Sequence, residues 1–291
     1  MIQEDFFTLN QNWIDKYVHS APKTSPSDLI LDEVEKMGVK TNIFLLPIFN
    51  ELFCLNMVAY AESLPEETWT TNRHPSYPTT DVLLKDIDFE DIYSQVLNNV
   101  MIPLAIDAYE IGGVNSEDFF SENFLVRYTP ETQNHLPFHD DSSLFTFNVS
   151  INDDFTDGGL LFKKNNIHLQ PRPGYAALAP GMIGYKHGAR PISSGVRYMI
   201  ISFVMPEKPF FILTNLDKGP DIKLLEDMKD ILNNMSKDSL LFVRNPAKPN
   251  VGVREAKYDE IETIGEVYDL KACKKVLTYN LEGEIKPSEI K

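Results

Sequence analysis

The sequence predicts an α+β chain with a mainly β core, a sandwich or barrel flanked by N-terminal helices and followed by an α+β extension. Three observations carry this. Seven short strand-like runs separated by turn residues lie between Asn123 and Met205, the density expected of an all-β sandwich or barrel. Upstream, apolar residues recur at helical spacing over Leu52–Glu62 and Ile92–Ala108. Beyond Met205-Pro206 the pattern turns to a mixture of helical and strand-like pieces. The chain therefore divides into a helical segment at 1–39, a β domain with its helices at 40–206, and an extension at 207–291.

Taken in order, Ser25 to Asp28 offers a capping serine with proline in the first turn, predicting a helix that Gly38 ends. The apolar run Thr41–Phe49 predicts a buried strand entering a turn, and Asn50 then caps a helix closed by Leu64-Pro65. Thr68 to Pro78 is polar, aromatic and proline-bearing, a surface loop suited to bordering a cleft. A strand is expected at Thr79–Leu84, then a long helix from Asp88 with a kink or break at Pro103 and a stop at Gly112-Gly113. The seven strands are Asn123–Tyr128, Ser143–Asn152, Leu160–Lys163, Ile167–Gln170, Tyr175–Ala179, Met182–His187 and Val196–Met205. In the second, Phe145, Phe147, Val149 and Ile151 face one way and Thr146, Asn148 and Ser150 the other, so one side packs on apolar groups and the other suits a site. In the extension, Asp221–Met235 has the apolar stripe of an amphipathic helix, and Leu240–Val243 suits a strand.

The 43 acidic residues outnumber the 27 basic ones, giving a formal charge of -16. That charge repels phosphate backbones, so nucleic acid is not expected as a partner. No run approaches the roughly 18 apolar residues of a membrane span, and the N-terminus carries acids where a secretory leader carries a basic flank. With only Cys54 and Cys273 there is no disulfide framework or CxxC zinc site, so a cytoplasmic location is expected.

The chemistry gathers at His139 and Asp141, two residues apart at the head of the clearest strand. Side chains at i and i+2 project from one face and reach a common point, which makes Asp141 the partner and turns Asp140 away. His187 and Arg197 follow ten residues apart. Two histidines and a carboxylate are the set that holds Fe(II) on one triangular face with positions left open. A 2-oxo acid chelating such an ion leaves a distal carboxylate, and an always-charged planar guanidinium anchors that group bidentately, the role expected of Arg197. Tyr128 and Asn148 are further candidates for contacts to the cosubstrate. His19, His74, His135 and His168 are expected to be surface or loop histidines.

At these residues the chain resembles the 2-oxoglutarate- and Fe(II)-dependent dioxygenases of the prolyl and lysyl hydroxylase type, and in particular the catalytic domain of procollagen-lysine hydroxylases. The resemblance rests on FLVRYTPETQNHLPFHDDSSLFTFNVSIN around the His-x-Asp, on DGGLLF, on PGMIGYKHGARPISSGVRYMIISFV with the distal histidine and arginine, and on TNIFLLPIFNELFCLNMVAYAESL upstream. It covers about residues 40–206. It implies a double-stranded β-helix (jelly-roll, cupin-like) with His139, Asp141 and His187 as iron ligands, Arg197 as the 2-oxoglutarate anchor, and ascorbate as an additional reductant. The implied activity is hydroxylation of a lysyl C–H bond in a protein or peptide, with succinate and CO2 as co-products. The alternatives are a prolyl, free amino acid or other small-molecule substrate, or a binding module that keeps the fold without turnover. Asp140, Asp153, Asp154 and Asp157 are the acids expected near the mouth, where they would suit a basic substrate.

Overall fold

Asn10 and Asn50 each accept a hydrogen bond from a backbone N–H three residues on, that of Trp13 and of Phe53, and so start the helices Gln11–Tyr17 and Glu51–Ser63. The computed structural model of the chain describes residues 2–19 and 41–207, apart from positions 75, 110, 112–113, 142, 164–165 and 182–184, and five strands further along. The helix expected between Ser25 and Gly38 lies outside the described residues. The third helical stretch begins at Glu90, after Asp88 has taken a left-handed conformation (φ 52°), and runs to Ala108. Pro103 does not break it. A π-helical turn over Leu97–Met101 precedes the proline, and widening the turn there accommodates the ring and the missing N–H.

These helices pack through aromatic side chains. Phe49 and Phe53 stack at 3.7 Å, Phe6 stacks on Phe89 at 5.1 Å, and Tyr93 lies 6.1 Å from Phe49. All five are buried. Tyr109, at the end of the last helix, reaches the sheet at Phe145, 6.0 Å away. The apolar side of that strand thus faces the helices, as its alternation requires.

The larger sheet has the order β1-β9-β5-β12-β3-β2, with β1 Phe44–Pro47, β2 Asp81–Leu83, β3 Phe119–Tyr128, β5 Phe145–Ser150, β9 Tyr175–Pro180 and β12 Arg197–Pro206. The smaller has the order β4-β10-β7-β8, with β4 Leu136–His139, β7 Leu160–Phe162, β8 Ile167–Leu169 and β10 His187–Ala189. A third pair joins β6 (Thr156–Asp157) to β11 (Ile192–Ser194). Every pairing is antiparallel. The strand pattern led us to expect a sandwich or barrel and the resemblance a double-stranded β-helix, and the two antiparallel sheets have that arrangement, with the helices against the larger sheet. Gly174 closes the turn into β9 at φ +83°, and a Cβ there would stand 2.0 Å from the Phe49 carbonyl oxygen. The carbonyl of Gly174 accepts from both Ile48 and Phe49, which ties the entrance of the second helix to the sheet.

Two expectations need correction. The run Met182–His187 is not one strand: β10 begins only at His187, and positions 182–184 lie outside the described residues. The helix expected from Asp221 gives way, at least to Leu224, to a strand over Gly219–Leu224 that pairs with Phe210–Asn215; positions 225–235 lie outside the described residues. An available partner strand outweighs local helical spacing there. On its other edge Phe210–Asn215 pairs with Ser239–Arg244, the strand expected near Leu240–Val243. No helix among the described residues is long and apolar enough to cross a membrane.

Candidate active site

His139 is the last residue of β4 and His187 the first of β10, and the two are direct cross-strand partners. The pair therefore sits at the tail of β4, not at the head of β5 as the sequence suggested. Cross-strand neighbours have their side chains on one face, and the ring centroids are 4.7 Å apart. Gly188 permits this approach: a Cβ there would lie 2.7 Å from the Leu136 carbonyl oxygen. On the other side of β10, Phe162 pairs with His187 and packs on its ring at 5.2 Å.

Asp141 lies two residues past His139, its backbone N–H donating to the Gly181 carbonyl at 3.0 Å. Its Oδ1 is 3.2 Å from Nε2 of His139, and its Oδ2 is 3.6 Å from Nε2 of His187. Both imidazoles donate their Nδ1 proton to a backbone carbonyl, His139 to Pro137 at 2.8 Å and His187 to Tyr185 at 3.2 Å. Fixing the proton on Nδ1 leaves an Nε2 lone pair facing the carboxylate. Neither Asp141 oxygen has a hydrogen-bond partner, and the side chain is buried.

Lone pairs on two nitrogens and a buried anion around one point repel each other unless a cation stands between them. The three side chains offer donor atoms that all lie within 4.8 Å of one another. A first-row divalent ion with donors at about 2.0–2.2 Å brings cis ligands to about 3 Å apart. The residues fit such an ion. Without an ion the imidazoles can play the cation's part by protonation: burial works to raise the Asp141 carboxyl, but His187 and His139 in their charged form outweigh it and hold it at about 2. Burial lowers the His187 pKa despite the pull of Asp141. At His139 burial acts the same way, and contact with Asp141 reverses it to a net rise.

The triad opens into a cavity of about 410 Å3, within the range of small-molecule sites. Tyr128 and Asn148, the candidates for cosubstrate contacts, are among the residues that line it. Arg197 is not in the wall: it is 1% exposed, and its guanidinium lies 5.7 Å from the rings of both Tyr128 and Phe155. It donates to the Gly159 carbonyl at 3.2 Å, its Nε has no partner, and no described carboxylate pairs with it. Burial lowers its pKa. Burial likewise raises the Tyr128 phenol, to about 12.

Six buried side-chain polar atoms among the described residues lack a partner, and four of them are Asp141 Oδ1 and Oδ2, Asn148 Nδ2 and Arg197 Nε. Orphaned polar groups are costly. Their concentration here marks where a ligand belongs.

Strand parity failed for Asp140, which lines the same cavity. The strand ends at His139, and alternation does not hold beyond it. Asp153, Asp154 and Asp157, expected near the mouth, are exposed and lie outside the cavity wall. The loop expected to border a cleft does so, but through residues the sequence did not single out: Arg73, His74, Ser76 and Tyr77. Tyr77 lies over His139, ring centroids 5.3 Å apart. His74, expected to be an ordinary surface or loop histidine, is in the loop and faces the cavity. The polar and aromatic composition of the loop was the available signal.

No family model matches the chain. In sequence it is 30% identical over 178 residues to the human procollagen-lysine,2-oxoglutarate 5-dioxygenase 2, which covers 57% of this chain and 24% of that protein. It is 32% identical over 178 residues to the human multifunctional procollagen lysine hydroxylase and glycosyltransferase LH3, with the same 57% and 24% coverage. The chain thus spans about a quarter of the length of the curated relatives it matches. Among solved structures, the non-heme alpha-ketoglutarate-dependent carbocyclase SnoK of nogalamycin biosynthesis has a TM-score of 0.47 at 13% identity, covering 64% of this chain and 87% of that one. In sequence, then, the chain is lysyl-hydroxylase-like, similar to the 2-oxoglutarate-dependent procollagen-lysine dioxygenases.

Proposed function

We propose that the chain is a 2-oxoglutarate- and Fe(II)-dependent hydroxylase acting on a C–H bond of a lysyl side chain in a protein or peptide, with the reaction housed in residues 40–206. The observation that carries this reading is the pairing of a buried His–Asp–His cluster, its carboxylate oxygens unsatisfied, with a buried arginine that has no carboxylate partner. The first is a cation site and the second an anion site. A cosubstrate that chelates a metal at one end and carries a carboxylate at the other suits both.

His139, Asp141 and His187 would hold the iron, which when bound supplies the redox chemistry by which O2 is activated at the expense of the 2-oxo acid. Overall, 2-oxoglutarate, O2 and a C–H group become succinate, CO2 and a C–OH group. Arg197 binds the distal carboxylate, and burial strengthens that charge pair. Asn148 Nδ2 donates to a cosubstrate oxygen, which satisfies its orphaned N–H. Tyr128, packed against Arg197, keeps the guanidinium oriented. Leu136, Leu160, Val126, Met199 and Ile201 line the cavity and exclude water.

Charge on the remaining walls favours a basic substrate. Arg73, in the lining, is ion-paired with Asp81 and Glu122 behind it, which match its charge. Asp140 places a carboxylate in the lining beside the triad, an acidic point suited to an ammonium group. Incubating the protein with Fe(II), 2-oxoglutarate and a library of lysine- and proline-bearing peptides should add one oxygen to lysine, read by mass spectrometry. The proposal fails if no succinate forms with any candidate, or if His139→Ala turns over like the parent.

A further inference from the structure

The cavity holds a polar side chain that the proposed reaction leaves unused. The His74 ring packs 5.3 Å from Phe124 and 6.0 Å from Phe203, centroid to centroid, and it lines the same cavity as the triad. Arg73, beside it, is fixed on three sides. Its Nε donates to Asp81 at 2.5 Å, its Nη1 donates to Glu122 at 3.0 Å, and its guanidinium lies 4.6 Å from the Phe124 ring. Its Nη2 stands 2.9 Å from His74 Nε2.

A guanidinium donates and does not accept, so His74 Nε2 is the acceptor in that contact. The proton of the neutral ring is then on Nδ1. Protonating Nε2 would set two N–H groups against each other, and burial together with the Arg73 charge disfavours the cationic ring. Among the described residues Nδ1 makes no hydrogen bond.

Resting on the hydroxylase reading, we propose that Arg73 and His74 form a substrate-specificity element in which His74 Nδ1–H donates to a main-chain carbonyl oxygen of a peptidyl substrate. Arg73 is the positioning residue that fixes the tautomer. Charge selects the carbonyl over a carboxylate. Among the described residues the cation in this part of the wall, Arg73, is already matched by Asp81 and Glu122, and Asp140 repels a second anion at the cavity. A single neutral N–H suits a neutral acceptor. The element therefore favours a residue inside a peptide over the free amino acid, whose carboxylate would fall in acidic surroundings.

Two measurements on the full chain test this. Nitrogen-detected NMR of the histidine side chains should show His74 as the Nδ1–H tautomer, shifting to a mixture in Arg73→Gln; an Nε2–H tautomer in the parent overturns the proposal. Kinetics with Fe(II), 2-oxoglutarate and a lysine peptide blocked at both ends should show peptide KM raised about tenfold in His74→Phe, the size of one net hydrogen bond. In that variant kcat and the KM for 2-oxoglutarate should stay within about twofold. His74→Gln, which keeps an N–H donor, should recover peptide KM to within about threefold of the parent. An unchanged peptide KM in His74→Phe, or no recovery in His74→Gln, overturns the assignment while the hydroxylase reading stands. A parent protein that forms no succinate with any peptide overturns the hydroxylase reading and the assignment together.

Discussion

Gly188→Ala places a methyl group where β10 touches the backbone of β4. The added Cβ would stand 2.7 Å from the Leu136 carbonyl oxygen, 3.2 Å from the Pro137 carbonyl carbon and 3.3 Å from the Phe138 nitrogen. Those are backbone atoms, and no side-chain rotation relieves them. Ordinary contact starts at 3.4 Å, so β4 must retreat by 0.7 Å (3.4 minus 2.7). His139 is the residue at the end of that strand, and a functional constellation tolerates about 0.5 Å. Overpacking of this kind costs about 1–3 kcal/mol of stability, and the displaced histidine should weaken metal binding at least tenfold, about 1.4 kcal/mol. Anaerobic calorimetric titration with Fe(II), and denaturant unfolding with and without it, measure the two effects. At a metal concentration about 100 times the parent Kd, binding should stabilise the parent by about 2.7 kcal/mol and the variant by only about 1.4. Gly174→Ala is the control: it clashes with Phe49, away from the triad, and should lower stability without changing metal affinity. Unchanged metal affinity in Gly188→Ala would refute the reasoning, and so would an equal loss in Gly174→Ala.

Asp141→Asn should reduce metal affinity by at least about a hundredfold, whereas Asp140→Asn should change it less than about fivefold, since only Asp141 joins the two histidines; isothermal titration of each separates them. In the metal-free protein the Asp141 carboxyl sits at about 2 against an ordinary 3.8. A depressed carboxyl stabilises the fold above its unfolded pKa and loses that contribution as pH falls through the folded one. Wild type should therefore lose about 2 kcal/mol relative to Asp141→Asn between pH 4 and 2, measured by urea unfolding at each pH. Arg197→Met should abolish 2-oxoglutarate binding to the metal-loaded protein yet leave the unfolding free energy equal or higher, because it removes a buried cation with no carboxylate partner; a loss above about 2 kcal/mol counts against the anion-site assignment. Burial raises the Cys54 thiol to about 12, so a thiol reagent at pH 8 should leave it unmodified in the folded protein and label it after denaturation, read by peptide mapping.

Much of the fold was legible because period and caps are local properties of the chain. The alternation of Phe145 to Ile151 and the cap at Asn50 act within a few residues, and the strand and helix form close to where those signals fall. The triad was legible from its residue types and their His-x-Asp spacing, although Asp141 lies past the end of β4 and is placed there by its N–H bond to Gly181 and not by strand parity. What spacing could not give is the partnership of His139 with His187 across two antiparallel strands, which depends on register and on the room left by Gly188. Asp140 was misread because parity ends with the strand, and the π turn over Leu97–Met101 stands where the sequence suggested only a kink or break at Pro103. Arg73 and His74 were invisible as a pair. Their geometry is set by Asp81, Glu122, Phe124 and Phe203, most of them distant in sequence. The sequence by itself pointed to His139, Asp141, His187 and Arg197 as the candidates for the chemistry; the tertiary structure decided which side chains face one cavity, because only packing across strands fixes where a loop side chain points.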